Sequence, residues 1–121
     1  MKKILIVDDE FGITKFLKIA IERSGPYEVH VENEGSLAVS KIRSLKPDLV
    51  FLDVNMPNTS GGEILAEIKS DPEFEGLAVI FLTGSVSEDE VAEGISIGGY
   101  PALAKPIDLP KLMAMVDKSL K

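Results

Sequence analysis

The chain has 121 residues, 45% of them hydrophobic and 27% charged, the proportions of one ordinary globular domain rather than of a disordered segment. Thirteen basic residues against 20 acidic ones leave a net charge of −7, a field that repels phosphate backbones and argues against direct nucleic-acid binding. With no cysteine and a single histidine, disulfides, thiol catalysis, cysteine-ligated metals and any site that needs two imidazoles are excluded.

Ile4 to Val7 is an apolar run that predicts a strand covered on both faces. It is too short for a signal-peptide core and runs straight into Asp8-Asp9-Glu10. Ile13, Phe16, Leu17, Ala20 and Ile21 follow at the spacing of one helix stripe. Tyr27 to Val31 predicts a second strand, and the alternation of Glu28, His30 and Glu32 with Val29 and Val31 suits a sheet edge with one wetter face. Ala38, Ile42 and Leu45 predict a second helix that stops before Lys46-Pro47. Leu49 to Leu52 reads as the third strand, and Ile64, Leu65 and Ile68, after Gly61-Gly62, as the third helix. Ala78 to Leu82 is the fourth strand. The fourth helix, around Glu88 to Ser96, is weakly marked: only Val91 and Ile95 pair, and Gly94 sits inside it. Ala102 to Ala104 is the fifth strand. Leu109, Leu112, Met113, Val116 and Leu120 make the fifth helix, with Pro110 acceptable in its first turn.

Strand and helix thus alternate five times with connections short enough to demand right-handed crossovers. The economical architecture is α/β, a doubly wound parallel sheet with helices on both faces. Residues 1–121 read as a single domain without linker or repeat. No stretch approaches the apolar length that spans a bilayer, and the expected location is the cytoplasm.

In open α/β sheets, ligands bind beyond the carboxyl ends of the strands, so what each strand ends with matters. The first ends in Asp8-Asp9-Glu10, the third in Asp53, the fourth in Thr83-Gly84, and the fifth runs into Lys105-Pro106. If the first strand lies between the second and third, Asp8, Asp9 and Asp53 converge, and Thr83 and Lys105 line the other side. Three gathered carboxylates raise one another's pKa values unless a cation is bound. A hard, oxygen-seeking ion that keeps several waters, such as Mg²⁺, fits this ligand set. A carboxylate flanked by such an ion and a lysine is poised to attack phosphorus, because both cations neutralise charge on the transferring oxygens. Each residue alone has a plainer reading, as a helix cap, a turn residue or a surface charge. Their joint occurrence at four strand ends outweighs that reading.

These residues closely resemble the receiver domain of two-component response regulators over essentially the whole chain. The motifs are Ile4-Leu5-Ile6-Val7-Asp8-Asp9-Glu10, Asp53-Val54-Asn55-Met56-Pro57 with Gly61 in register, Leu82-Thr83-Gly84, and Lys105-Pro106. The resemblance implies a flavodoxin-like (βα)5 fold with strand order 2-1-3-4-5. It implies Asp53 as phosphoacceptor, served by a sensor histidine kinase or a histidine phosphotransfer protein. It implies Mg²⁺ held by the side chains of Asp9 and Asp53, by the backbone carbonyl of Asn55, and by Asp8 largely through water. Thr83 becomes the switch hydroxyl, Lys105 the partner of the phosphoryl group, and Pro106 the cis-peptide position. Asn55 and Ser85 stand where the family tunes acyl-phosphate hydrolysis.

One departure stands out. Where the family has an aromatic three residues before the lysine, this chain has Ala102, with Tyr100 two residues earlier. Two readings are open: a rewired output face, to which Gly94, Gly98 and Gly99 also point, and a harmless loop variant. His30, on a strand away from the acidic edge, reads as a sheet residue rather than a phosphohistidine. Met113 and Met115 read as core and surface of the last helix.

The expected function is therefore a signalling phosphoacceptor rather than an enzyme acting on an external metabolite. Its expected partners are the phosphodonor and a downstream protein met on the face of the fourth and fifth helices and fifth strand, and it is expected to stand alone as a monomer or weak homodimer. A Mg²⁺-dependent phosphohydrolase with an aspartyl-phosphate intermediate is the alternative, but such enzymes separate two acids by one residue, whereas Asp8 and Asp9 are adjacent. Binding of flavin mononucleotide is disfavoured because Asp8-Asp9-Glu10 would repel its phosphate.

Overall fold

The computed structural model describes residues 1–84, 96–97 and 99–120. Five parallel strands form its centre: β1 (Lys2–Val7), β2 (Tyr27–Glu32), β3 (Leu49–Asp53), β4 (Ala78–Thr83) and β5 (Tyr100–Ala104). They lie in the order β2-β1-β3-β4-β5, the expected arrangement, with the wetter strand β2 at the edge. The α-helices among the described residues are α1 (Phe11–Ser24), α2 (Ala38–Leu45), α3 (Gly61–Lys69) and α4 (Leu109–Ser119).

The strand runs are apolar because both faces are covered, and period-2 alternation sends neighbouring side chains to opposite layers. Leu5, Val7, Val50, Leu52, Val79 and Phe81 face α2 and α3, and pack with Ile42, Ile64, Leu65 and Ile68. Ile4, Ile6, Leu49, Phe51, Ile80 and Leu82 face the other way, onto Leu17 and Ile21 of α1 and Leu112 and Val116 of α4. Each such side chain, fully buried, contributes about 1.5–3 kcal/mol. Local chemistry sets the helix ends. Ser60 caps α3 by accepting from Glu63 N–H, Asp108 caps α4 by accepting from Lys111 N–H, with Pro110 in the first turn, and α2 stops at Lys46, in the left-handed region at φ 52°.

The structure corrects four details. Phe16 is 50% exposed; the buried stripe of α1 is narrower, formed by Thr14, Leu17 and Ile21, because the sheet covers only one side of the helix. Strands β3 and β4 run one residue further than the apolar runs, which places Asp53 and Thr83 inside the ladder rather than after it. Strand β5 starts at Tyr100, not Ala102. Its outer edge carries a two-residue antiparallel strand, Ser96–Ile97, paired with Tyr100 and Pro101, so the sheet is not purely parallel. Gly99, at φ 86°, takes the left-handed conformation open to glycine at that reversal. Ser96, the last residue of the expected fourth helix, is thus in a strand, and the rest of that helix lies outside the described residues.

Candidate functional site

All the acidic candidates meet at the carboxyl edge of the sheet. Beyond β1, Asp8 N–H donates to the Glu32 carbonyl at 3.2 Å and so extends the ladder by one step. The Asp8 carboxylate accepts from Glu10 N–H at 2.9 Å, and its carbonyl accepts from the Asn33 side-chain amide at 2.8 Å. Asp8 is thereby fixed and wholly buried. Asp53 closes β3 opposite Leu82, is 4% exposed, and accepts from Asn55 N–H at 3.4 Å. Val54 N–H donates to the Leu82 carbonyl, and Gly61 N–H to the Val54 carbonyl, each at 3.0 Å. A side chain at Gly61 would bring a Cβ to 2.6 Å from the Asp53 carbonyl oxygen, so glycine there permits the close packing that seats the strand end.

On the far side, Thr83 is buried at the end of β4 and paired with Ala104. Lys105 N–H donates to the Thr83 carbonyl at 2.8 Å, and the Lys105–Pro106 peptide is cis, as expected. The Lys105 ammonium lies 2.9 Å from Asp8 Oδ2, 3.2 Å from Glu10 Oε1 and 3.5 Å from Asp53 Oδ1.

Asp8, Asp9 and Asp53 each offer a carboxylate oxygen within 4.8 Å of the others. Burial, then the Asp8 charge and a hydrogen bond with Asp9, push the Asp53 carboxyl from its ordinary 3.8 up to about 6, against the pull of Lys105 and of the Asn55 N–H. Burial opposes the charge on Lys105, but the Asp8, Asp53 and Glu10 carboxylates hold its pKa above the ordinary lysine value. Asp8 Oδ2 is buried and, among the described residues, its near neighbour is the Lys105 ammonium at 2.9 Å, with no second donor to fill its remaining lone pair. A divalent cation suits this donor set. Ligand distances of about 2.0–2.6 Å to hard cations let one ion bridge oxygens spaced about as these are, and an all-oxygen, carboxylate-rich set selects a hard ion over a soft one.

The structure therefore brings together Asp8, Asp9, Asp53 and Lys105 as expected. Asn55 follows two residues behind, exposed, at the start of a two-residue strand paired with Ser60. Thr83 occupies the adjacent strand end. Ser85 lies outside the described residues. His30 sits in mid-strand opposite Leu5, 2.7 Å from the Glu28 carboxylate and away from the acidic edge. Two residues escaped the sequence reading as site members. Glu10, read as part of the acidic strand end and as a candidate helix cap but not as a partner of Lys105, starts α1 without a side-chain capping bond and instead accepts from Lys105. Asn33, which ties Asp8 to Thr14 Oγ1, lies just past a strand that runs one residue beyond the expected Val31; its polarity at a strand terminus is the available signal.

The family model of the response regulator receiver domain matches residues 4–117. The chain belongs to that family. The phosphate regulon transcriptional regulatory protein PhoB of Rhizobium meliloti is 33% identical over the full chain, which spans 53% of that protein. The regulatory protein AtoC of Escherichia coli is 31% identical, again over the full chain, here only 26% of the relative. The chain thus corresponds to about half or less of these curated relatives. Among solved structures, this receiver domain is similar to the chemotaxis protein CheY4 of Vibrio cholerae, with 28% identity, a TM-score of 0.83 and 99% coverage of both chains. It is also similar to the signal receiver domain of a DNA-binding response regulator from Colwellia psychrerythraea, with 26% identity and a TM-score of 0.84. Among the described residues, no helix is long and apolar enough to cross a membrane.

Proposed function

We propose that residues 1–121 act as one phosphoacceptor domain in which Asp53 takes a phosphoryl group from a phosphohistidine. The Asp53 carboxylate oxygen attacks phosphorus, the P–N bond breaks, and its electron pair leaves on the imidazole, which takes a proton from water. Aspartate is a weak nucleophile, so the surroundings must offset the charge of the incoming group. Lys105, 3.5 Å from the nucleophile, moves onto a phosphoryl oxygen, and the Thr83 hydroxyl donates to another. Asp9 and Asp53 would hold Mg²⁺ by their side chains, Asn55 by its carbonyl, and Asp8 mainly through water; when bound, that ion neutralises transferring oxygens. The domain processes only the phosphoryl group it carries and turns over no metabolite.

The observation that carries this reading is the carboxylate cluster of buried Asp8 and Asp53 with half-buried Asp9, with the Lys105 ammonium set among the acids. A structural ion pair needs one acid for one base; this site has an excess of negative charge, which a bound cation balances without protonating an acid. The exposed rings of Phe11 and Phe16, on the helix that begins at this rim, support a protein donor, a sensor histidine kinase or a histidine phosphotransfer protein, rather than a small metabolite. A downstream protein would read the phosphorylated surface, and the cytoplasm suits this exchange. The adjacent placement of Asp8 and Asp9 speaks against the phosphohydrolase alternative.

Incubation with acetyl phosphate and Mg²⁺ should add one phosphoryl group per chain, read by intact mass, and Asp53→Asn should remove it. Full labelling of that variant would overturn the assignment.

A further inference from the structure

We propose that Glu10 is a positioning residue of this site, one that holds Lys105 in the resting protein and releases it as the phosphoryl group arrives. The inference rests on the reading of Asp53 as phosphoacceptor. Lys105 has three carboxylates in reach, and they are not equivalent. Asp8 and Asp53 are buried, with side-chain exposures of 0% and 6%, and are fixed by the strand ends, whereas the Glu10 side chain is 58% exposed. Glu10 also receives a well-formed hydrogen bond from the ammonium, at 3.2 Å, while Asp53 is the most distant of the three. At rest, the lysine is thus shared with a residue outside the buried acid group.

Glu10 is built to let go. It sits at the N-cap of α1, yet its side chain bonds no helix N–H, so its departure breaks no cap. Once free, its charge stays at a helix N-terminus, where a negative group is favoured without the lysine, and water solvates it. The change that prompts release is electrostatic. Transfer of the phosphoryl group turns one negative charge at residue 53 into about two, in a buried setting where each charge acts strongly. The ammonium crosses to a phosphoryl oxygen; it keeps its protons, and no covalent bond other than those of the transfer changes. Glu10 therefore competes with the phosphoryl group for the same cation and slows its arrival.

The test separates contact from charge with two variants. Glu10→Gln removes the charge; Glu10→Asp keeps it but withdraws the carboxylate by one methylene. In metal-free protein at one fixed pH, the Lys105 side-chain NMR resonances should move in both variants, since each breaks the contact between the ammonium and the residue 10 carboxylate. With acetyl phosphate at saturating Mg²⁺, the maximal labelling rate should rise in both by about three- to fivefold, the size allowed for a partly exposed ion pair, with the half-saturating donor concentration unchanged. The proposal is overturned if wild type labels normally while both variants leave the Lys105 resonances and the maximal rate unaltered. It is equally overturned if Glu10→Gln lowers only the half-saturating concentration and Glu10→Asp matches wild type, since that is simple repulsion of an anionic donor. Wild type that takes no label removes the phosphoacceptor reading, and this one with it, whatever the resonances show.

Discussion

The two ends of the sheet carry similar residues and put them to different uses. At the amino edge, Asp48 accepts from Lys3 N–H at 2.8 Å and Asp117 accepts from the Tyr27 hydroxyl at 3.0 Å. Both acids are exposed, and each has a partner. The depression between them is roomy, about 820 Å³, yet its acids are open to water and each accepts a hydrogen bond. At the carboxyl edge, Asp8 and Asp53 are buried beside Asp9, and among the described residues one lysine serves several acids. The contrast teaches that neither hollow size nor acid count marks a site. Charge withdrawn from water and left in excess does, because only a ligand or a proton restores the balance.

Neutralising one acid at each edge should break the comparison most plainly. Asp9→Asn should weaken Mg²⁺ binding by about tenfold or more, since a hard cation loses one of very few anionic ligands, while Asp117→Asn should leave it unchanged. Calorimetric titration of both variants reads the difference. Equal losses would mean that the acidic field of the whole molecule, not the buried cluster, holds the ion.

A pH series sharpens the comparison at intermediate size. With the cation removed by chelator, the folded-state pKa of Asp53 stands at about 6 against 3.8 ordinarily. Between those values the folded chain binds a proton that the unfolded chain does not, so this group makes stability fall as pH rises from about 4 through 6. The metal-free protein should therefore melt at a higher temperature near pH 5 than near pH 7 by a margin that Asp53→Asn lacks. Tyr27 offers a control, because burial and its bond to Asp117 raise its pKa further above 10, and it stays neutral throughout. An identical pH slope in wild type and Asp53→Asn would deny the strain attributed to the buried cluster.

Much of this was legible in the chain itself. The strand cores announced themselves because burial on both faces leaves no room for polar residues, as Phe51 and Ile80 illustrate, and Glu28 and His30 marked β2 as an edge. The acids at strand ends were legible once parallel alternation was recognised, since all the carboxyl ends of a parallel sheet lie on one side. Side-chain reach was not. Glu10 is adjacent to Asp9 in sequence, but its link to Lys105 spans 95 positions and depends on where two loops settle. The fate of Ala102 was likewise hidden: it is buried opposite Phe81, while Tyr100 stays half-buried near the other end of β5 with the Lys69 ammonium 5.0 Å over its ring. No aromatic of β5 thus lies level with Phe81 or Thr83, a consequence of register that residue type alone does not reveal. Phe16 misled for a related reason: periodicity reports which residues share a stripe, not how wide a stripe the sheet covers.

The smallest expected effect belongs to the amino edge. Tyr27→Phe deletes the hydroxyl bonded to Asp117, which water can solvate in its place, so the stability loss should be at most about 1 kcal/mol, measured by urea denaturation. Its labelling rate by acetyl phosphate should equal that of wild type. The reasoning is geometric: Tyr27 pairs with Lys2 at the start of β1, while the acids begin at the other end of that strand, and the intervening Ile4, Leu5, Ile6 and Val7 are fully buried. A core packed this closely resists small displacements, and a lost hydroxyl at its rim displaces little. A changed labelling rate in Tyr27→Phe would show instead that β1 transmits shifts along its length, and that the two edges act as one device.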